Sequence, residues 1–167
     1  MLRSFNEKEQ MMDIILKGVV VIMLIRVAWI DHKTMRIPDI CSLVLAACGI
    51  FAMVFQPEIT IPERLIGCFC ISAPMYLMIT LIPGSFGGGD VKLTFAMGLY
   101  LGWKLAVTGT FLAFLIGGVQ AVYLLAGGKA KMGERTHMAF GPALCAGYLL
   151  AMIWGEPLIS WSLGLFY

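Results

Sequence analysis

Apolar residues run in long blocks broken by short polar stretches. Ile40 to Pro57, Leu65 to Gly89, Leu105 to Gly128 and Thr136 to Gly155 hold no Asp, Glu, Lys or Arg, and each is at least 18 residues long. A hydrocarbon layer about 30 Å thick is crossed by about 20 residues of helix, so these four blocks alone predict four crossings. A first apolar segment, Ile14 to Ile30, carries Lys17 and Arg26 near its ends, where long side chains can snorkel. The charged run Asp31 to Asp39, with Pro38 inside it, breaks that segment before a second one, Ile40 to Phe55. Gln56, Pro57, Glu58, Pro62, Glu63 and Arg64 form the next polar turn. Segment three, Leu65 to Ile82, has Pro74 as a kink site. Five of the eight residues from Pro83 to Asp90 are Gly or Pro, so no helix is expected through them. Segment four starts at Asp90 and ends near Gly102, with Gly98 and Gly102 at the spacing that lets helices approach closely. Segment five is Lys104 to Ala126 and segment six Met138 to Trp154, separated by a charged loop from Gly127 to His137. The predicted architecture is one all-α membrane domain over residues 1–167, a bundle of about six transmembrane helices.

Composition sharpens this picture. With 60% hydrophobic and only 13% charged residues, the chain lacks the polar surface of a soluble domain, and disorder and coiled coil are excluded with it. A formal charge of +2 leaves no basic footprint for nucleic acid. Cys41, Cys48, Cys68, Cys70 and Cys145 all lie in apolar stretches without a CxxC pair, and His32 and His137 show no ligand spacing, so no metal or cofactor is expected. Residues 1–13 form a polar leader without the charge bias or cleavage site of a signal peptide, and are expected to be retained. Trp161, Phe166 and Tyr167 suit a membrane interface. Lys33, Arg36, Lys92, Lys129, Lys131 and Arg135 fall in the loops after segments one, three and five, against Arg64 and Lys104 in the others. The positive-inside rule then makes the loops 31–39, 83–92 and 127–137 cytoplasmic and the N-terminus external.

That topology puts two acids, Asp31 and Asp90, on one membrane face. Acids at membrane depth are a functional hypothesis by default. Two carboxyls brought together cannot both ionise cheaply, so one keeps a proton. The ionised member can activate water while the protonated one polarises a carbonyl, which is aspartic-protease chemistry. The bland alternatives are that each acid marks where a helix leaves the lipid, or that Asp90 caps segment four. Gly87, Gly88 and Gly89 strip side chains from the backbone beside Asp90, so an extended substrate strand can lie against the carboxylate.

Gly87-x-Gly89-Asp90 continuing into Val91-Lys92-Leu93, with an upstream Asp31 followed by Arg36-Ile37-Pro38-Asp39 and a later Phe140-Gly141-Pro142, resembles the type IV prepilin peptidases, the GxGD membrane aspartic proteases. The resemblance implies that Asp31 and Asp90 are the catalytic pair. It implies removal of a short basic leader from prepilin-like proteins at the cytoplasmic face of a bacterial cell membrane, usually just after a glycine. Larger members carry paired CxxC motifs that bind zinc and go with N-methylation. This sequence has no CxxC, so methyltransferase activity is not expected, and it is similar instead to the short stand-alone peptidases of Flp-type or tight-adherence pili.

Neighbouring residues have two readings each. Lys92 either supports an ionised carboxylate or substrate carbonyl, or snorkels. Arg36 and Asp39 either pair and shape their loop or are solvated. Pro38 sets the chain's return into segment two. Glu134 reads as solvated, and Cys68 and Cys70, two apart on a helix, point to different faces. Three competing functions keep a place. A presenilin-like or signal-peptide-peptidase-like protease would use Pro142-Ala143-Leu144. A small proton- or cation-coupled transporter would want acids at mid-bilayer and an internal repeat, neither of which is seen. A non-catalytic assembly subunit would need the packing glycines but not two acids on one face. Whether the glycine-spaced segments pack within one chain or between two is open at this level.

Overall fold

The computed structural model describes residues 2–82, 86–127 and 139–164. Over these residues the chain forms five helical elements and no strand: α1 (Leu2–Thr34), α2 (Asp39–Phe55), α3 (Ile61–Leu81), α4 (Gly88–Ala126) and α5 (Gly141–Gly164). The loop carrying Lys129, Lys131, Glu134, Arg135 and His137, and the terminal Phe166 and Tyr167, lie outside the described residues.

Several helix boundaries differ from the sequence expectation, among them the end of α5, which runs on past Trp154 to Gly164. The polar stretch 2–13 is the first part of α1, and that helix runs past Asp31 to Thr34. There the Thr34 hydroxyl donates to the Ile30 carbonyl at 2.9 Å, the Met35 amide donates to the Asp31 carbonyl, and Met35 takes a left-handed φ of 51° that ends the helix. Asp31 therefore sits a turn inside a helix instead of opening a loop. Helix α3 likewise starts before its predicted point, because Thr60 and Glu63 form a capping box with the Thr60 amide donating to the Glu63 carboxylate at 3.0 Å, and Pro62 occupies the first turn. Pro38, in extended conformation with φ −63°, is the N-cap residue of α2, as its role in returning the chain requires.

Helix α4 is one element by hydrogen bonding but two by direction. Gly102 has φ 72° and ψ 172°, a backbone open only to glycine, and the chain turns back there. The ring of Phe114 on the far side of the turn meets Phe86 just before α4 begins, which requires 103–126 to run antiparallel to 88–101. The sequence's segments four and five are thus these two stretches. Residues 88–101 rise only about 21 Å at 1.5 Å per residue. Two stretches, Ile61–Leu81 and Gly88–Leu124, are long and apolar enough to cross a membrane, the second being folded at Gly102; Asp39–Phe55 and Gly141–Gly155 are shorter apolar helices.

Helix α4 packs against α2, α3 and α5, and the core lies around it: Val20, Leu24 and Val27 from α1, Leu45 from α2, Leu93, Met97 and Tyr100 from α4, and Leu144 and Tyr148 from α5. The crossing of α3 and α4 is a backbone-to-backbone contact. A Cβ on Gly67 would lie 2.5 Å from the Gly98 carbonyl oxygen, and one on Gly98 would run into the Gly67 carbonyl, so neither position has room for a side chain. The spacing glycines therefore pack within one chain. Outside the core the pattern inverts: Ile22, Trp29, Leu43, Val54, Leu81, Val119 and Ile153 all present more than half their surface outward, on helices from every part of the bundle. A continuous apolar exterior of this kind is a membrane or partner surface.

Arg64, counted above as a loop charge, is fully buried in the first turns of α3. Its guanidinium donates to the carbonyls of Leu99 (3.1 Å) and Tyr100 (2.7 Å) at the end of the 88–101 stretch, and to Ala52 and Gln56 (both 3.1 Å) at the end of α2. A planar fork of donors closes two helix C-termini at once, where the helix dipoles favour a cation. Gln56 extends this network to Asp13 of α1 at 2.5 Å, and Asp13 pairs with Lys17 at 2.6 Å. This is the end of the bundle opposite Asp31, Asp39, Gly88 and Gly141.

Candidate active site

Asp31 and Asp90 are both buried, at 5% and 7% exposure, at the same end of the bundle. Each carboxylate is held by the N-terminus of a helix. Asp90 sits in the first turn of α4, its Oδ2 accepting the Gly87 amide at 3.1 Å, while the Asp90 amide donates to the Gly87 carbonyl at 3.0 Å. This is half of a capping box: the acid at the third helical position accepts the Gly87 amide, while the return bond goes to a backbone carbonyl because glycine has no side chain. Asp90 therefore caps its helix from the third position, the N-cap residue being Gly87. Asp31 is held from across the bundle: its Oδ2 accepts the Gly141 amide, the first residue of α5, also at 3.1 Å. Both acids thus face the positive end of a helix.

Two contacts bring the surroundings of the acids together. The rings of Phe86 and Phe140, the residues before Gly87 and Gly141, meet with centroids 5.7 Å apart. Ile37, buried in the loop after α1, packs on Gly89 so closely that a Cβ there would stand 2.8 Å from the Ile37 Cβ. Gly141 has the same character: any side chain would run into the Asp31 carboxyl. Gly87 is tight against Asp90, where a Cβ would stand 3.1 Å from Oδ2, whereas Gly88 is exposed and would meet nothing within 4 Å. Of the three glycines, two are set by contact and one faces open space.

The remaining candidates separate. The Lys92 ammonium forms an ion pair with Asp39 at 2.7 Å, with both side chains largely exposed, tying the start of α2 to the first turn of α4. Asp39 is thus paired with Lys92 and not with Arg36, which is exposed. Pro38 acts through the backbone of α2. Cys68 is buried and Cys70 half-buried, on different faces as expected, and among the described residues no group of three His, Cys, Asp or Glu side chains could hold a metal. The residue whose part sequence reasoning missed is Gly141. Its signals were its place in the Phe140-Gly141-Pro142 element of the resemblance and Pro142 behind it, a residue favoured in a helix's first turn. Nothing in a spacing of 110 residues predicts its bond to Asp31.

The profile of the type IV leader peptidase family matches residues 18–122, well over half of the chain and a span that includes both acids. The chain belongs to that family. Similar curated relatives in the leader peptidase family are the prepilin leader peptidase/N-methyltransferases of Legionella pneumophila (29% identical, covering 84% of this chain and 50% of the relative), Pseudomonas putida (28%, 82% and 49%) and Bacillus subtilis strain 168 (28%, 83% and 55%). The chain spans about half the length of these relatives. No solved structure matches this chain.

Proposed function

We propose that this chain is a membrane aspartic endopeptidase that removes the basic leader from type IV prepilin-like precursors at the cytoplasmic face of a bacterial cell membrane. The observation that carries the reading is the position of Asp31 and Asp90, 59 residues apart in sequence, as two buried carboxyls at one end of the bundle, each oriented by a helix N-terminal amide. In this reading the ionised carboxyl takes a proton from a water molecule whose oxygen attacks the scissile carbonyl carbon. The protonated carboxyl hydrogen-bonds the carbonyl oxygen as it gains charge. Collapse of the tetrahedral adduct breaks the C–N bond, and the departing amine takes up the proton. Gly87 and Gly141 have no part in the bond-breaking; their amides fix where each carboxyl points, which is the positioning such a dyad needs.

The six helical stretches are then six crossings, with the N-terminus outside and the dyad at the cytoplasmic end, as the loop charges suggest. An apolar groove of about 490 Å³, lined by Ile40, Leu43, Ala46, Val91 and Phe95, opens between α2 and the first turns of α4 beside the Lys92–Asp39 pair. It offers an apolar substrate helix a lateral path toward the acid end. The exposed Gly88 leaves backbone open for an extended segment beside Asp90. The proposal covers the peptidase activity alone. Its test is leader removal from a co-expressed prepilin-like substrate in membranes, with Asp31→Asn and Asp90→Asn as the variants; full activity in either variant rejects the dyad.

A further inference from the structure

The amides that hold the two acids belong to Gly87 and Gly141, and each of these glycines follows a phenylalanine. Phe86 and Phe140 are in contact, with ring centroids 5.7 Å apart, and both pack on Phe114, at 6.0 and 5.3 Å. Phe114 and Gly117 lie three residues apart on the 103–126 stretch and so share a face. Gly117 leaves the seat for the Phe140 ring, since a Cβ there would stand 2.9 Å from Cε2. The tie matters because the acids reach their places by different routes. Asp90 rides on the helix that Gly87 opens, whereas Asp31 belongs to α1 and is held only where α5 begins. Their mutual position therefore depends on how the start of α5 sits against the start of α4. The three rings join those two starts.

We propose that Phe86, Phe114 and Phe140 are positioning residues: an aromatic clasp that fixes the N-terminus of α5 to that of α4 and so sets the spacing of Asp31 and Asp90. The clasp touches neither acid and works through the Gly87 and Gly141 amides. Its role in cleavage rests on the dyad reading above, but the mechanical link between the two helix starts does not.

The test uses the full chain in detergent micelles. Amide hydrogen exchange is compared for wild type, Phe140→Leu and Gly117→Ala, the second unseating the Phe140 ring without altering it. Both variants are expected to exchange about tenfold faster not only near residues 86 and 141 but also in residues 88–92, beyond the rings themselves, with Phe140→Tyr close to wild type because it keeps the ring. Leader cleavage by the same proteins should show kcat about tenfold lower with KM within about twofold. Faster exchange confined to the neighbourhood of residues 86 and 141 overturns the proposal. So does a raised KM with unchanged kcat, which would make the rings a substrate contact. If wild type cleaves no leader, the peptidase reading fails, and the exchange result at 88–92 still decides the clasp.

Discussion

Replacing Arg64 by methionine removes a guanidinium that is wholly buried and bonded to backbone carbonyls at the ends of two helices. Methionine fills much of the same volume, so the loss is one of hydrogen bonds more than of packing. Charge-assisted bonds are worth about 1.5–3 kcal/mol each, and a plain sum over the carbonyls of Leu99, Tyr100, Ala52 and Gln56 would rival the whole stability of a domain. Two effects reduce it. The Ala52 carbonyl keeps the Gln56 amide at 2.9 Å, so it is not orphaned. Burying a guanidinium also costs desolvation that methionine does not incur. A net loss of about 3–5 kcal/mol is expected, since each neutral carbonyl left without a partner costs about 1–3 kcal/mol. Arg64→Lys should lose roughly half as much, since one ammonium cannot span both helix ends. Equilibrium unfolding in mixed micelles measures both. A loss below about 1 kcal/mol for Arg64→Met would show that the carbonyls find other partners and that the guanidinium does not hold α2 and α4 together.

Gly141→Ala should keep the fold but displace Asp31, since its Cβ would enter the carboxyl; leader cleavage is expected to fall about a hundredfold, measured at matched protein level. Gly98→Leu forces α3 and α4 apart at their backbone contact and should cost at least the 1–3 kcal/mol typical of overpacking, read by the same unfolding experiment. Asp39→Ala breaks only an exposed ion pair and should change stability by less than about 1 kcal/mol, with the small effect lost at high salt.

Hydrophobic blocks carried most of the fold because helix existence follows from length and apolarity, and the polar breaks found the connections. Even the turn at Gly102 was visible, since segment four was expected to end near there. The helix boundaries of α1 and α3 were harder: the Met35 terminator and the Thr60–Glu63 box are local conformations that charge counting overrides. Arg64 was misread as a loop cation because the carbonyls that justify its burial belong to residues 8 to 36 positions away. For the same reason the sequence left Asp39 either paired with nearby Arg36 or solvated, when its partner is Lys92, 53 residues on. At the site, Asp31 and Asp90 were legible as acids on one face, and their glycine neighbours as a motif. The donor to Asp31 and the clasp of rings were not, because both join segments that only the packing of α5 against α4 brings together.

The most direct test of the central claim follows leader removal by gel mobility and mass from a prepilin-like substrate in membranes, comparing wild type with Asp31→Asn and Asp90→Asn at equal expression. The dyad account predicts cleavage by wild type and none by either variant, because each substitution keeps the shape of the site while removing a group that must give or take a proton. Near wild-type cleavage by either variant would contradict it.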